Sequence, residues 1–368
     1  MFERRLYFHI DWLLLAAILV ITGIGVAMIY STTYVTLPDG GHAGPQVRTQ
    51  VYALGIGLVA FLLCLSIDYR LLAEHSLALY GALCALLLFV LLKGSTQMGA
   101  QRWIPIGPFN LQPSEFGRVV IALILAMYFG ENRRGARNTS DLVTGGIFTA
   151  VPLLLIAKQP DLGTAVTLIP VFIGVAFLAG LQMRLLGILT LAAILVAPVA
   201  WKYALKDYQR ARITTFLDPE QDPRGEGYQQ IQARITVGSG GLTGKGFRGG
   251  TQGQYKFLPV AHNDFIFSVL AEEQGYAGVL GALGLYLFVI LRSLQAARLA
   301  KDRLGAYLVG GIISGFSFQV IYNVAMSAGL APVKGITLPL MSYGGSSLIA
   351  ALASFGLIIN VRMRRFTN

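Results

Sequence analysis

His262-Asn263-Asp264-Phe265-Ile266-Phe267 places one carboxylate where a polar, glycine-rich stretch gives way to an apolar helix. An acid at the edge of hydrocarbon is expensive to keep, so each such residue is a functional-site hypothesis. A carboxylate there can act as a general base, because desolvation raises its proton affinity while neighbouring cations oppose the rise. It can also simply cap the helix that follows. Glu115 and Arg118 stand three residues apart, the spacing of a pair on one helical face, with Ser114 reading as the N-cap before them. They either line a cavity or neutralise each other within the membrane. Asp161 follows Lys158 and Pro160 at the start of another apolar stretch, where capping competes with pairing to a cation. Glu272 falls eight residues after Asp264, near the same helical face, with Glu273 one position round; inner-loop or neighbouring-helix cations are their expected partners.

The elements that must hold these residues are membrane helices. Of 368 residues 55% are hydrophobic and 13% charged, and the mean hydropathy is +0.62, which excludes an ordinary soluble domain. Apolar runs long enough to span a bilayer occur ten times, at about 11–30, 49–67, 75–92, 115–130, 142–157, 163–181, 184–204, 265–291, 305–330 and 345–361. The expected architecture is therefore an all-α polytopic membrane protein, residues 1–368 forming one domain, with 205–263 as a large loop between helices 7 and 8. Cys64 and Cys84, the only cysteines, fall inside spans and read as packing residues. Arg4 and Arg5 precede a first apolar run without a small-residue cleavage pattern, so it reads as an uncleaved helix.

Placing the N-terminus inside puts Arg4, Arg5, Arg70, Arg133, Arg134, Arg137, Arg184, Arg292, Arg298, Lys301, Arg303, Arg362, Arg364 and Arg365 on inner segments. The short outer loops then hold only Arg48, Lys93, Arg102, Lys158 and Lys334. Both termini are expected to be cytoplasmic and the large loop, with Asp264, extracytoplasmic. Part of the formal charge of +11 then reports topology and attraction to anionic membrane lipids. The outer share includes Arg210, Arg212 and Lys245 and would attract a phosphate-bearing ligand; no aromatic-basic module accompanies it, which excludes nucleic acid. Within the loop, Asp207 to Arg212 continues a helical pattern, Tyr228 to Val237 reads as a short amphipathic helix with Ile231 and Ile235 on one face, and Gly238 to Gly246 is flexible backbone. Gly244-Lys245-Gly246 lacks the spacing of a nucleotide-binding phosphate loop.

Five motifs in this order resemble the SEDS (shape, elongation, division and sporulation) family over nearly the whole chain. They are Gln112-Pro113-Ser114-Glu115, Gln159-Pro160-Asp161-Leu162-Gly163, Gly238-Ser239-Gly240-Gly241-Leu242, Asp264-Phe265-Ile266-Phe267 with Ala271-Glu272-Glu273, and Ser342-Tyr343-Gly344-Gly345-Ser346. Gly250-Thr251-Gln252 and Val269 to Glu273 resemble the elongation branch more than the division branch. Arg118 departs from the Lys common in relatives and, as a guanidinium, carries no proton-transfer role; Val260 and Asn263 stand where Glu and Thr are frequent.

The resemblance implies a peptidoglycan glycosyltransferase of the bacterial cytoplasmic (inner) membrane that polymerises lipid II into β-1,4-linked strands during elongation. It further implies a class B penicillin-binding protein as transpeptidase partner. Such chemistry displaces undecaprenyl pyrophosphate from an anomeric carbon by the 4-hydroxyl of another sugar. A glycosidase usually needs two carboxylates because its alkoxide leaving group must be protonated, whereas pyrophosphate leaves as a stabilised anion, so one base suffices. Asp264 is the expected base. Glu115, Arg118 and Asp161 become cavity residues, and Ser342 and Ser346 belong to a broken-helix segment whose hydroxyls satisfy freed backbone groups. Arg48, Arg102, Lys158, Arg210, Arg212 and Lys245 are the cations available for pyrophosphate. His9, His42, His75 and His262 offer no multi-histidine metal site, while Mg²⁺ or Mn²⁺ held by carboxylate and pyrophosphate oxygens is allowed. A lipid II flippase and a scaffold for a cell-wall synthase are the alternatives. The absence of an internal repeat and the gathering of distinctive residues on the outer side favour chemistry over transport.

Overall fold

The computed structural model describes residues 9–34, 42–97, 100–106, 109–131, 139–182, 207–223, 225–254 and 257–366, with isolated positions between 184 and 198. Among them, eight helices are long and apolar enough to cross a membrane: Trp12–Thr33, Pro45–Ser66, Ser76–Lys93, Pro113–Glu131, Ser140–Lys158, Ile266–Arg298, Arg303–Ser327 and Gly345–Met363. A shorter apolar segment, Leu162–Leu178, is interrupted at Thr167, whose hydroxyl donates to the Thr164 carbonyl at 2.6 Å. Nine of the ten expected spans thus carry a helix. The seventh, 184–204, lies for the most part outside the described residues.

Burial ranks the helices. The apolar window of Gly345–Met363 is 89% buried and that of Ser76–Lys93 only 22%, so the last helix is the axis of the bundle and the others wrap it. Leu77 and Leu92 point outward and remain about two-thirds exposed, as lipid-facing side chains do in a fold whose solvent is hydrocarbon. The axis and Pro45–Ser66 come closest at Gly356, where an added Cβ would lie 2.6 Å from the Phe61 carbonyl oxygen. Small residues permit such backbone approach in membranes, where packing replaces the hydrophobic effect as the glue.

One end of the bundle is tied by charge. Asp11 caps Trp12–Thr33 by accepting from the Leu14 amide at 3.3 Å, and also pairs with Arg292 at 2.8 Å and with Arg362, joining the first, the Ile266–Arg298 and the last helix. Beside it Asp302 accepts from Tyr69 and Arg70, both at 2.9 Å, and Arg364 pairs with Asp68 at 3.0 Å.

Two features lie beyond the sequence expectation. A small three-stranded antiparallel sheet, Ser95–Gln97, Ala100–Ile106 and Phe109–Leu111, closes the opposite end. The amphipathic loop helix extends over Glu226–Ser239 and buries Gln230, Ala233 and Thr236, whereas Ile235 stays 47% exposed. Its apolar pair is therefore not the packed face.

Candidate functional site

Asp264 sits at the end of the bundle that the sheet closes, delivered by a tight turn. The amides of Asn263 and Asp264 both donate to the Val260 carbonyl, at 3.0 and 3.3 Å, and Val260 adopts φ 53°, a left-handed value that strains a β-branched residue. Asn323 locks the turn: its Nδ2 donates to the Asp264 carbonyl at 2.8 Å and to the Ile336 carbonyl at 2.7 Å. The following helix has Phe265 at its cap position with no side-chain hydrogen bond, so capping is not what the Asp264 carboxylate does. That carboxylate makes no hydrogen bond or ion pair with a described residue, in contrast to the other acids around it. Its Oδ2 faces Gly335, where an added Cβ would lie 3.5 Å away, and Gly335 holds φ 62°.

Arg102 and Asp161 form the rest of this centre. Asp161 caps the Leu162–Val166 helix by accepting from Thr164 N at 3.2 Å and accepts from Gln112 Nε2 at 3.0 Å. Arg102 lies 3.7 Å from Asp161 and donates to the carbonyls of Gln159 and Pro160. Burial pushes the Asp264 carboxyl up from its ordinary 3.8 to about 6, with Arg102 lowering it and Asp161 raising it. A carboxylate tuned close to neutrality and left unpaired is equipped to take a proton. His262 next to it is driven below its ordinary range by burial and stays neutral near pH 7.

Glu115 and Arg118 do pair, Oε2 to Nη2 at 2.7 Å, and both are buried. Ser114 is not the N-cap: Gln112 holds that position, and Ser114 Oγ accepts from Gln112 Nε2 at 3.1 Å. Arg118 Nη1 is buried without a partner among the described residues, and Arg118 lines a small pocket with Gln319, Ser354 and Phe355. Ser342 and Ser346 satisfy backbone: Ser342 Oγ accepts from Leu338 N at 2.8 Å, and Ser346 Oγ accepts from Gln112 N at 2.9 Å. Gln112 thereby links the Asp161 carboxylate to the start of the axial helix.

The remaining cations are dispersed. Arg48 and Lys158 are exposed, Arg210 is partly buried, and Arg212 pairs with Glu226 at 2.7 Å. Lys245 is bound to Glu272 at 2.6 Å, with the Thr251 and Gln252 amides on the same oxygen at 2.9 and 3.2 Å. The partner of Glu272 thus comes from the glycine-rich loop, which corrects the expectation of an inner-loop or neighbouring-helix cation. Glu273 accepts from Ser31 of the first helix. Gln112, Asn323 and Gly335 were not legible as site residues. Gln112 stood in a motif, yet nothing local says that its amide reaches Asp161, and Asn323 looks like one polar residue in an apolar helix. Among the described residues no group of three metal-type ligands exists; Asp264 and Asp161 alone fit a hard cation only if substrate oxygens complete its shell.

The model of the FtsW/RodA/SpoVE cell cycle protein family matches residues 11–366. The peptidoglycan glycosyltransferase MrdB of Escherichia coli K12 is 37% identical over 340 residues, covering 92% of this chain and 91% of the relative. A probable peptidoglycan glycosyltransferase FtsW of Trichlorobacter lovleyi is 37% identical over 360 residues, covering 95% and 92%. Among solved structures, a chain from a peptidoglycan synthase complex superposes with a TM-score of 0.83 at 34% identity, covering 98% and 99%. The rod shape determining protein RodA of Thermus thermophilus does so with 0.72 at 30% identity, covering 98% of each chain.

Proposed function

Because the chain belongs to the FtsW/RodA/SpoVE cell cycle protein family, we infer that it is an integral membrane peptidoglycan glycosyltransferase polymerising lipid II during elongation. The observation that carries the mechanism is the unpaired Asp264 carboxylate, held near neutrality beside Arg102. In this reading the 4-hydroxyl of the acceptor sugar lies against Asp264, which takes its proton as O4 attacks the anomeric carbon of the donor. The bond from that carbon to the diphosphate breaks, the electron pair leaves with the diphosphate, and attack from the far face turns an α-linked donor into a β-1,4 link. Arg102, already fixed by Asp161 and two carbonyls, needs no reorganisation to meet developing negative charge. A bound Mg²⁺ or Mn²⁺ would supply further charge neutralisation at the diphosphate, with Asp161 as its protein ligand and substrate oxygens completing its shell.

The site opens to the extracytoplasmic side of the bacterial cytoplasmic membrane, in keeping with the excess of Arg at the Asp11 end of the bundle. The expected partner is a class B penicillin-binding protein that crosslinks the new strands, supported by the likeness to a synthase complex coordinating polymerization with crosslinking. The test is to give the purified protein defined lipid II, with and without that partner, and to resolve glycan chains by gel. Polymer that disappears with Asp264→Asn is the expected result. Polymer of normal yield from folded Asp264→Asn protein refutes the base assignment.

A further inference from the structure

The turn that delivers Asp264 is satisfied along its backbone and unsatisfied in its side chains. The amides of Asn263 and Asp264 donate to the Val260 carbonyl, the His262 carbonyl accepts from Tyr343 N at 2.9 Å, and the Asp264 carbonyl accepts from Asn323. The side chains of the three consecutive residues His262, Asn263 and Asp264 make no hydrogen bond or ion pair with a described residue, and Asn263 Oδ1 is buried as well. Polar groups inside a protein are as a rule paired, so three unpaired side chains in a row on an anchored backbone call for a partner outside the chain.

Tyr343 joins them from the segment that leads into Gly345–Met363. Its ring meets that of His262 edge to face, with centroids 5.5 Å apart and planes at 63°, and its hydroxyl makes no hydrogen bond with a described residue. Gln50, only 1% exposed, holds the backbone on both flanks of Tyr343: Nε2 donates to the Ser342 carbonyl at 3.2 Å and Oε1 accepts from Gly344 N at 3.1 Å. Both rings are half-buried. The Cα atoms of residues two apart are separated by at most about 7 Å, so His262 and the ring it touches are carried on the same short turn as the proposed base. The chemistry assembled there is neutral: an imidazole with one donor and one acceptor, an amide, a phenol and an aromatic face. Such a set suits a pyranose bearing hydroxyl and acetamido groups, whereas the charge of Arg102 suits diphosphate.

We propose that His262, Asn263 and Tyr343 form the acceptor-sugar subsite, recognising an N-acetylated pyranose and holding its hydroxyl for Asp264. This rests on the glycosyltransferase reading and divides the site between its two substrates, the donor diphosphate on the Arg102 side and the acceptor ring on the Tyr343 side. Gln50 and Asn323 fix the backbone and leave the recognising side chains free, so the subsite is formed before the sugar arrives and little ordering cost falls on binding.

Two measurements on the full-length protein test it. The first is saturation-transfer NMR in nanodiscs with N,N′-diacetylchitobiose, a β-1,4-linked disaccharide that has neither lipid nor diphosphate. Transfer to its ring and acetyl protons is expected in wild type and in Arg102→Gln, with loss in His262→Gln and Tyr343→Leu. No transfer in wild type, equal transfer in all four proteins, or the same loss in Arg102→Gln overturns the proposal. The second is polymerisation by folded His262→Gln and Tyr343→Phe. Loss of one hydrogen bond to the acceptor should raise KM for lipid II up to about tenfold. The break in the pH–rate profile should stay near 6, because burial, Arg102 and Asp161 set it. A KM unchanged in both variants, whether or not the break moves, overturns the subsite and leaves the glycosyltransferase reading standing. Saccharide binding by a wild-type protein that makes no polymer does the reverse.

Discussion

Asp264→Asn should make the protein inactive and more stable at the same time. Burial holds the Asp264 carboxyl at about 6 in the folded protein, against an ordinary 3.8, so the folded state binds this proton more tightly than the unfolded state. The stability that this proton contributes is fully present below the unfolded value and is lost as pH rises through the folded one. The difference is worth about 3 kcal/mol, at 1.36 kcal/mol per tenfold change in proton affinity. Asn resembles the protonated acid in shape and charge. The variant should therefore gain up to about 3 kcal/mol over wild type above pH 6 and nothing below pH 4. Denaturation in detergent micelles at several pH values reads this directly. Activity should follow the opposite course, with the wild-type rate rising tenfold per pH unit towards a break near 6 and the variant reduced roughly 10² to 10⁴-fold. Equal stability of the two proteins at pH 7.5 would refute the desolvation on which the base assignment depends. So would a wild-type rate that is flat between pH 5 and 7.

Arg102→Gln removes the cation that lowers the Asp264 carboxyl, so the break in the pH–rate profile should move upward, visible in the same assay. Breaking the buried Glu115–Arg118 pair with Arg118→Leu leaves an uncompensated carboxylate and should cost about 3 to 5 kcal/mol of stability, whereas replacing both with neutral residues recovers much of it; yield of folded protein and thermal unfolding distinguish the two. Glu272→Gln should release the loop around Lys245 and Thr251, read as faster proteolysis between residues 240 and 254 with the membrane helices intact. A cysteine placed at exposed Glu220, with Cys64 and Cys84 removed, should react with an impermeant probe only from the extracytoplasmic side; labelling only from the cytoplasm would reverse the orientation.

Residue type and position were enough to single out Asp264, Asp161 and the Glu115–Arg118 pair, because charge in an apolar sequence is costly and therefore conspicuous. The spans were legible for the same reason, as continuous apolar runs. What was not legible depends on contacts far apart in the chain. Asn323 holds the Asp264 turn from 59 positions away, and Gln112 connects Asp161 with Ser346 across more than half the chain. The destination of Lys245 was hidden too, since a loop cation looks solvated until the loop is seen docked on Glu272. The three-stranded sheet escaped notice because its strands are short and Pro105 breaks the alternation that marks a strand.

The break at Gly275 can be treated as a measuring mark. The Ile266–Arg298 helix has 33 residues, about 50 Å at 1.5 Å per residue, whereas the hydrocarbon is only about 30 Å thick. Gly275, at φ 64°, interrupts it where the Gly244 and Gly246 backbone docks. The piece from Tyr276 to Arg298 is about 35 Å long and spans the hydrocarbon unaided. The turn carrying Glu272 and Glu273 is thereby left standing at the waterline, and Asp264 above it. If Asp264 is the proposed base, an acceptor sugar would reach it while its lipid tail stays submerged, and a growing strand would leave without drawing its polar length through the bilayer.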